Sequence, residues 1–79
     1  MFRTLVKTGA VAVEEREFRV RYFEQRTARG LRRFSAEIWL DPGDRIILDD
    51  DSMMNLEART ARLVPATVYS RLLAKASAA

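Results

Sequence analysis

The chain has 79 residues, no cysteine and no histidine, and its net charge of +3 comes from twelve arginines and two lysines against eleven carboxylates. That composition describes one small domain spanning residues 1–79, and it excludes disulfides, thiolate metal sites, a cysteine nucleophile and histidine as general base. No apolar run reaches bilayer-spanning length, and residues 1–7 lack the apolar stretch of a secretory signal, so a cytoplasmic protein without membrane contact is expected.

Residues 2–8 read as strand, with Gly9 marking a bulge or a strand start, and a strand is placed near residues 10–14. Residues 14–17 suit a four-residue loop on a type I turn, which sets Val13 against Phe18 and Val11 against Val20. The strongest local signal is the hairpin of residues 17–26 and 31–40. Thr27-Ala28-Arg29-Gly30-Leu31 fits a three-residue loop with Gly30 in the left-handed region. Pairing Thr27 with Leu31 puts Val20 opposite Ile38, Phe18 opposite Leu40 and Tyr22 opposite Ala36 on one apolar face. The other face then pairs Arg19 with Trp39 as a cation–π contact, Arg21 with Glu37 as an ion pair, Phe23 with Ser35 and Gln25 with Arg33. A slip of one residue would set Val20 against Glu37, so the register is well determined.

Asp41-Pro42-Gly43-Asp44 predicts a type II turn, with proline presetting the first central position and Gly43 at positive φ. Residues 45–49 form the last strand, and setting Ile38 against Ile47 brings Trp39 opposite Ile46, with Leu48 on the Trp39 and Phe23 side. At Asp49-Asp50-Asp51-Ser52 the period changes from two to helical. Ser52 is the N-cap, with the aspartates at the positive end of the helix dipole. A first helix near 53–63 puts Met53, Leu56, Thr60 and Leu63 on one stripe. Pro65 pushes Val64 toward an extended conformation and opens a second helix near 66–76, with Val68, Leu72, Tyr69 and Leu73 as its broad apolar face. Residues 74–79 read as a fraying end. The fold class is α+β: an antiparallel meander of three to four strands followed by two short helices, or one helix kinked at Pro65.

Three constellations bear on function. The aspartate triplet, with Asp41 and Asp44 nearby, is the one carboxylate cluster, but its spacing matches no calcium loop and a helix start accounts for it. Residues 16–33 carry seven arginines against two glutamates. Arg19, Arg21, Arg26, Arg29, Arg32 and Arg33, interleaved with Phe23 and Trp39, are therefore candidate contacts to nucleic acid or an acidic protein, although the same arginines suit a solvated surface. The third is apolar: Phe23, Trp39, Ile46 and Leu48 on the outer sheet face, with Tyr69, Leu72 and Leu73 on the second helix as the alternative surface. Without disulfide or metal, a core this small gains from a second copy. Ser35, Ser52, Ser70 and Tyr69 have no histidine to activate them, and no glycine-rich phosphate loop is present. The expectation is a non-catalytic interaction module without cofactor, self-associating as a homodimer, with a nucleic-acid-binding hairpin as the alternative.

Overall fold

Period-two alternation of apolar and charged residues builds an antiparallel meander, which the computed structural model describes over residues 3–77. Its strands are β1 (Arg3–Val13), β2 (Arg16–Arg26), β3 (Arg32–Asp41) and β4 (Asp44–Asp50), paired in chain order, followed by α1 (Met53–Ser77). The helix lies on one face of the sheet, against β1, β3 and β4. Between them sit Phe18, Val20 and Tyr22 of β2, Ala36, Ile38 and Leu40 of β3, and Leu56, Val64 and Val68 of α1. No helix among the described residues is long and apolar enough to cross a membrane.

The central hairpin takes the register its loop dictates. Thr27 N donates to Leu31 O at 2.8 Å, Gly30 N donates to Thr27 O at 2.9 Å, and Gly30 sits at φ +80°. The ladder runs from Val20–Ile38 through Arg21–Glu37, Tyr22–Ala36, Phe23–Ser35 and Gln25–Arg33 to Arg26–Arg32.

The outer strands depart from expectation, each through one irregularity. β1 covers the early segment as well as residues 10–13, while Phe2 lies outside the described residues. Its turn has two residues, Glu14 and Glu15, with Glu14 at φ +57°, so Val13 pairs with Arg16, Val11 with Phe18 and Gly9 with Val20. The bulge falls between Leu5 and Lys7 rather than at Gly9. At the β3–β4 turn Gly43 does not take a positive φ, so the expected type II form is not adopted. Asp41 pairs with Asp44 as the two-residue loop requires, but an irregularity between Trp39 and Asp41 shifts the rest by one residue. Ile38 therefore meets Ile46, Ala36 meets Leu48, and Trp39 meets Arg45. This slip turns Ile46 and Leu48 onto the helix-covered face, where they pack on the core, and sends Ile47 outward.

Of the two forms expected for the tail, two helices or one interrupted at Pro65, the structure has a single 25-residue helix with Pro65 inside it. Ser52 caps it: Ser52 Oγ accepts from Asn55 N at 3.2 Å, and Asp50 Oδ1 accepts from Ser52 N at 3.0 Å. Leu56, Thr60, Val64 and Val68 recur every four residues as its buried stripe. Val64, expected in an extended link, is fully buried in that stripe. Residues 74–77, read as a fraying end, continue the helix, and residues 78 and 79 lie outside the described ones.

Candidate interaction surfaces

Alternation along β2 and β3 aims Arg19, Arg21, Phe23, Ser35, Glu37 and Trp39 at the face the helix leaves open. Glu37 is its centre, only 4 % exposed. Arg3 Nη2 donates to Glu37 Oε2 at 3.4 Å, Arg45 Nη1 donates to the same oxygen at 3.2 Å, and Arg21 Nη2 stands 3.5 Å from Oε1. One β3 carboxylate thus ties β1, β2 and β4 together. Burial pushes the Glu37 pKa up, but the Arg3 donor, Trp39 and the charge of Arg21 together overcome this and hold it below the ordinary carboxylate value. Three arginines on one carboxylate still leave the cluster positive.

Phe23, a candidate contact, is buried despite lying on the open face. The Arg3 and Arg21 guanidiniums roof its ring, 4.1 and 5.2 Å from the centroid. Trp39 remains 48 % exposed. Its stacked cation is Arg45, at 5.2 Å, in place of the expected Arg19, because the β3–β4 slip makes Arg45 its cross-strand partner. Ile47, which sequence reasoning placed on the core side, is half exposed beside this group. On the β1 flank the outward residues Thr8, Ala10 and Ala12 are short, which leaves a low border beside Arg19 and Arg21.

At the hairpin tip Arg26 and Arg32 are directly paired across the strands. Arg32 is held by Glu24 at 2.8 and 3.2 Å, and Arg26 donates to Gly30 O at 3.2 Å. Arg19, Arg29 and Arg33 have no carboxylate partner among the described residues. The open face and tip together carry eight arginines against Glu17, Glu24, Glu37 and Asp49, whereas the rest of the chain sets six basic groups against seven carboxylates. The positive excess is shared between the open face, where five arginines meet three carboxylates, and the hairpin tip, where Arg26 and Arg32 fall in step with the core-facing residues of their strands.

The second surface belongs to the helix. Along a flank of the helix beside its buried stripe, Met54, Ala58, Ala61, Pro65 and Leu72 follow one line at spacings of four, three, four and seven, with Tyr69 and Ala76 beside it and Arg62 at its margin. Met54 is 80 % exposed and Leu73, flanking the line, 69 %; Leu72 and Tyr69 are half exposed. The helix is apolar on two sides while one side is covered. Tyr69 Oη is tied to the Glu14 carboxylate, which fixes this end of the helix to the β1–β2 turn. The sequence reading found Tyr69, Leu72 and Leu73 but missed Met54, Ala58 and Ala61, because breaking the helix at Pro65 separates the two halves of the line.

The remaining candidates are accounted for locally. Asp50 accepts from Ser52 N and pairs with Arg59 at 3.2 Å, and Arg59 also donates to Asp49 O at 2.6 Å. No group of three metal-ligating side chains is assembled among the described residues. A shallow cleft of about 30 Å³ between Phe18, Leu40, Val68 and Leu72, edged by the Arg71–Asp44 pair, has room for about one water molecule. Compared with family models, curated proteins and solved structures, the chain matches none.

Proposed function

We propose that this protein is a non-catalytic, cytoplasmic interaction module that works as a homodimer, its two copies packing helix against helix. The observation that carries this reading is the second apolar line of α1, Met54 to Leu72, left in water. A soluble helix normally buries one stripe and charges the other. Here that flank offers large apolar groups at its two ends and alanines between them, which let two backbones approach closely. A two-fold pairing needs one self-complementary patch, and a near-chargeless line supplies it without juxtaposing like charges. The open sheet face is the poorer candidate for self-association, since a second copy would bring its own arginines to those already there.

Sedimentation over a concentration series tests this directly. The expected result is twice the 9.1 kDa chain mass at micromolar concentration, with Ala61→Glu and Leu73→Glu both shifted to monomer and far-ultraviolet circular dichroism unchanged. Trp39→Ala should leave the dimer intact. A single 9.1 kDa species up to high micromolar concentration would overturn the reading.

A further inference from the structure

We infer that the open face of the sheet is a binding surface for single-stranded nucleic acid, centred on Trp39 and lined by Arg3, Arg19, Arg21, Arg33 and Arg45. Self-association through the helix leaves this face free, so the inference goes beyond that proposal and stands separately from it. Three features carry it. Charge is the first: the open face sets Arg3, Arg19, Arg21, Arg33 and Arg45 against Glu17, Glu37 and Asp49, an excess of two positive charges, and the adjoining hairpin tip adds two more, so the complementary partner is a polyanion. The second is that the face combines those charges with an exposed aromatic. Trp39 is 48 % exposed on the antiparallel sheet with Arg45 beside its ring, so an unpaired base can stack on its open side while phosphates reach the guanidiniums. Bases within a duplex are stacked on one another and cannot offer a face to a half-buried indole, which favours single strands.

The third feature is geometry. Short side chains at Thr8, Ala10 and Ala12 keep the β1 flank low, so an extended strand can lie across the sheet beside Arg19 and Arg21 without displacing an element. The Glu37 cluster holds Arg3, Arg21 and Arg45 in fixed positions and neutralises one charge of three, so these donors are ordered before any ligand arrives. Arg19 and Arg33 lack carboxylate partners among the described residues and are free to bind phosphate. This places the surface on the sheet floor, distinct from the hairpin tip that composition alone singles out.

Trp39, the sole tryptophan, reports occupancy by its fluorescence. Twelve-nucleotide oligo(dT) and oligo(U) are titrated at low salt into the full chain, with poly-glutamate as an acidic control. Quenching is expected with one or both oligonucleotides, and their relative affinity assigns DNA or RNA. Affinity should fall about 20- to 50-fold between 50 and 200 mM salt if three to four phosphates are engaged. Trp39→Ala, read by mobility shift, should weaken binding about 5- to 150-fold. Arg19→Glu combined with Arg33→Glu should abolish it with sedimentation and circular dichroism unchanged. The inference fails if micromolar protein gives neither quenching nor a shift, or if poly-glutamate binds as tightly. It fails too if Arg29→Glu with Arg32→Glu abolishes binding while the sheet-face variants retain it.

Discussion

Glu37 shows how one residue can set both the geometry and the acid sensitivity of a surface. Its carboxylate is nearly inaccessible and receives arginines from three other strands, so it links the whole sheet on the side without a helix. Folding holds its pKa below the ordinary 4.5. The stabilisation is therefore complete above that ordinary value and is lost as pH falls through the lower, folded one. Urea unfolding of Glu37→Gln should show a loss on the order of 1–2 kcal/mol at pH 7, with the difference from the parent shrinking toward pH 3. A constant difference across that range would mean that the charge is not what stabilises the sheet. Two glycines make a second residue-scale contrast. A Cβ at either Gly30 or Gly43 would meet nothing within 4 Å, so packing cannot separate them, but only Gly30 holds a positive φ. Gly30→Ala should cost about 1 kcal/mol through backbone strain alone, whereas Gly43→Ala should be neutral or slightly stabilising. Paired chemical denaturation curves decide this.

At the scale of elements, the helix departs most informatively from what its sequence suggests. Pro65 removes a hydrogen-bond donor in the helix interior, an arrangement costing roughly 3 kcal/mol in an isolated helix. The helix nevertheless runs through it, because Leu56, Thr60, Val64 and Val68 gain more by docking on the sheet as one stripe. Pro65→Ala should accordingly stabilise the fold by about 1–3 kcal/mol, and Val64→Ala should destabilise it by about 1.5–3 kcal/mol. A neutral Val64→Ala would instead fit the extended link that the sequence suggests. The expected Phe18–Leu40 and Arg19–Trp39 pairs lie beyond the β2–β3 ladder, and Trp39 stacks with Arg45 instead. From Val20–Ile38 to Arg26–Arg32 local chemistry made the register legible, since loop, glycine and side-chain pairs agree. The Ser52 cap and the Arg21–Glu37 pair were legible for the same reason. The β3–β4 register was not. Proline and glycine announce the turn, but an irregularity next to Leu40 has no sequence signature, and a single-residue slip exchanges the faces of Ile46, Ile47 and Leu48. Half of the expected sheet-face contacts thereby moved: Ile46 and Leu48 went to the core, while Trp39 kept its exposure and Phe23 was roofed by arginines.

The whole molecule is long for its mass. Its radius of gyration is 14.1 Å, where a compact chain of this length gives about 12 Å. Such a shape leaves more surface per residue and a smaller share of apolar area removed from water, the condition in which a small domain gains most from a partner. The two uncovered surfaces differ in kind: the apolar side of α1 suits an identical helix, and the cationic sheet face suits an anion. If helix pairing supplies part of the folding free energy, stability cannot be separated from concentration. Raising the protein concentration a hundredfold, from 1 to 100 µM, should then lift the melting temperature by on the order of 5–10 °C. Ala61→Glu, which keeps a good helix former at an exposed site, should melt at a temperature independent of concentration and close to that of the dilute parent. A parent melting temperature that stays flat over the same range would show that the helix face contributes nothing to the folded state.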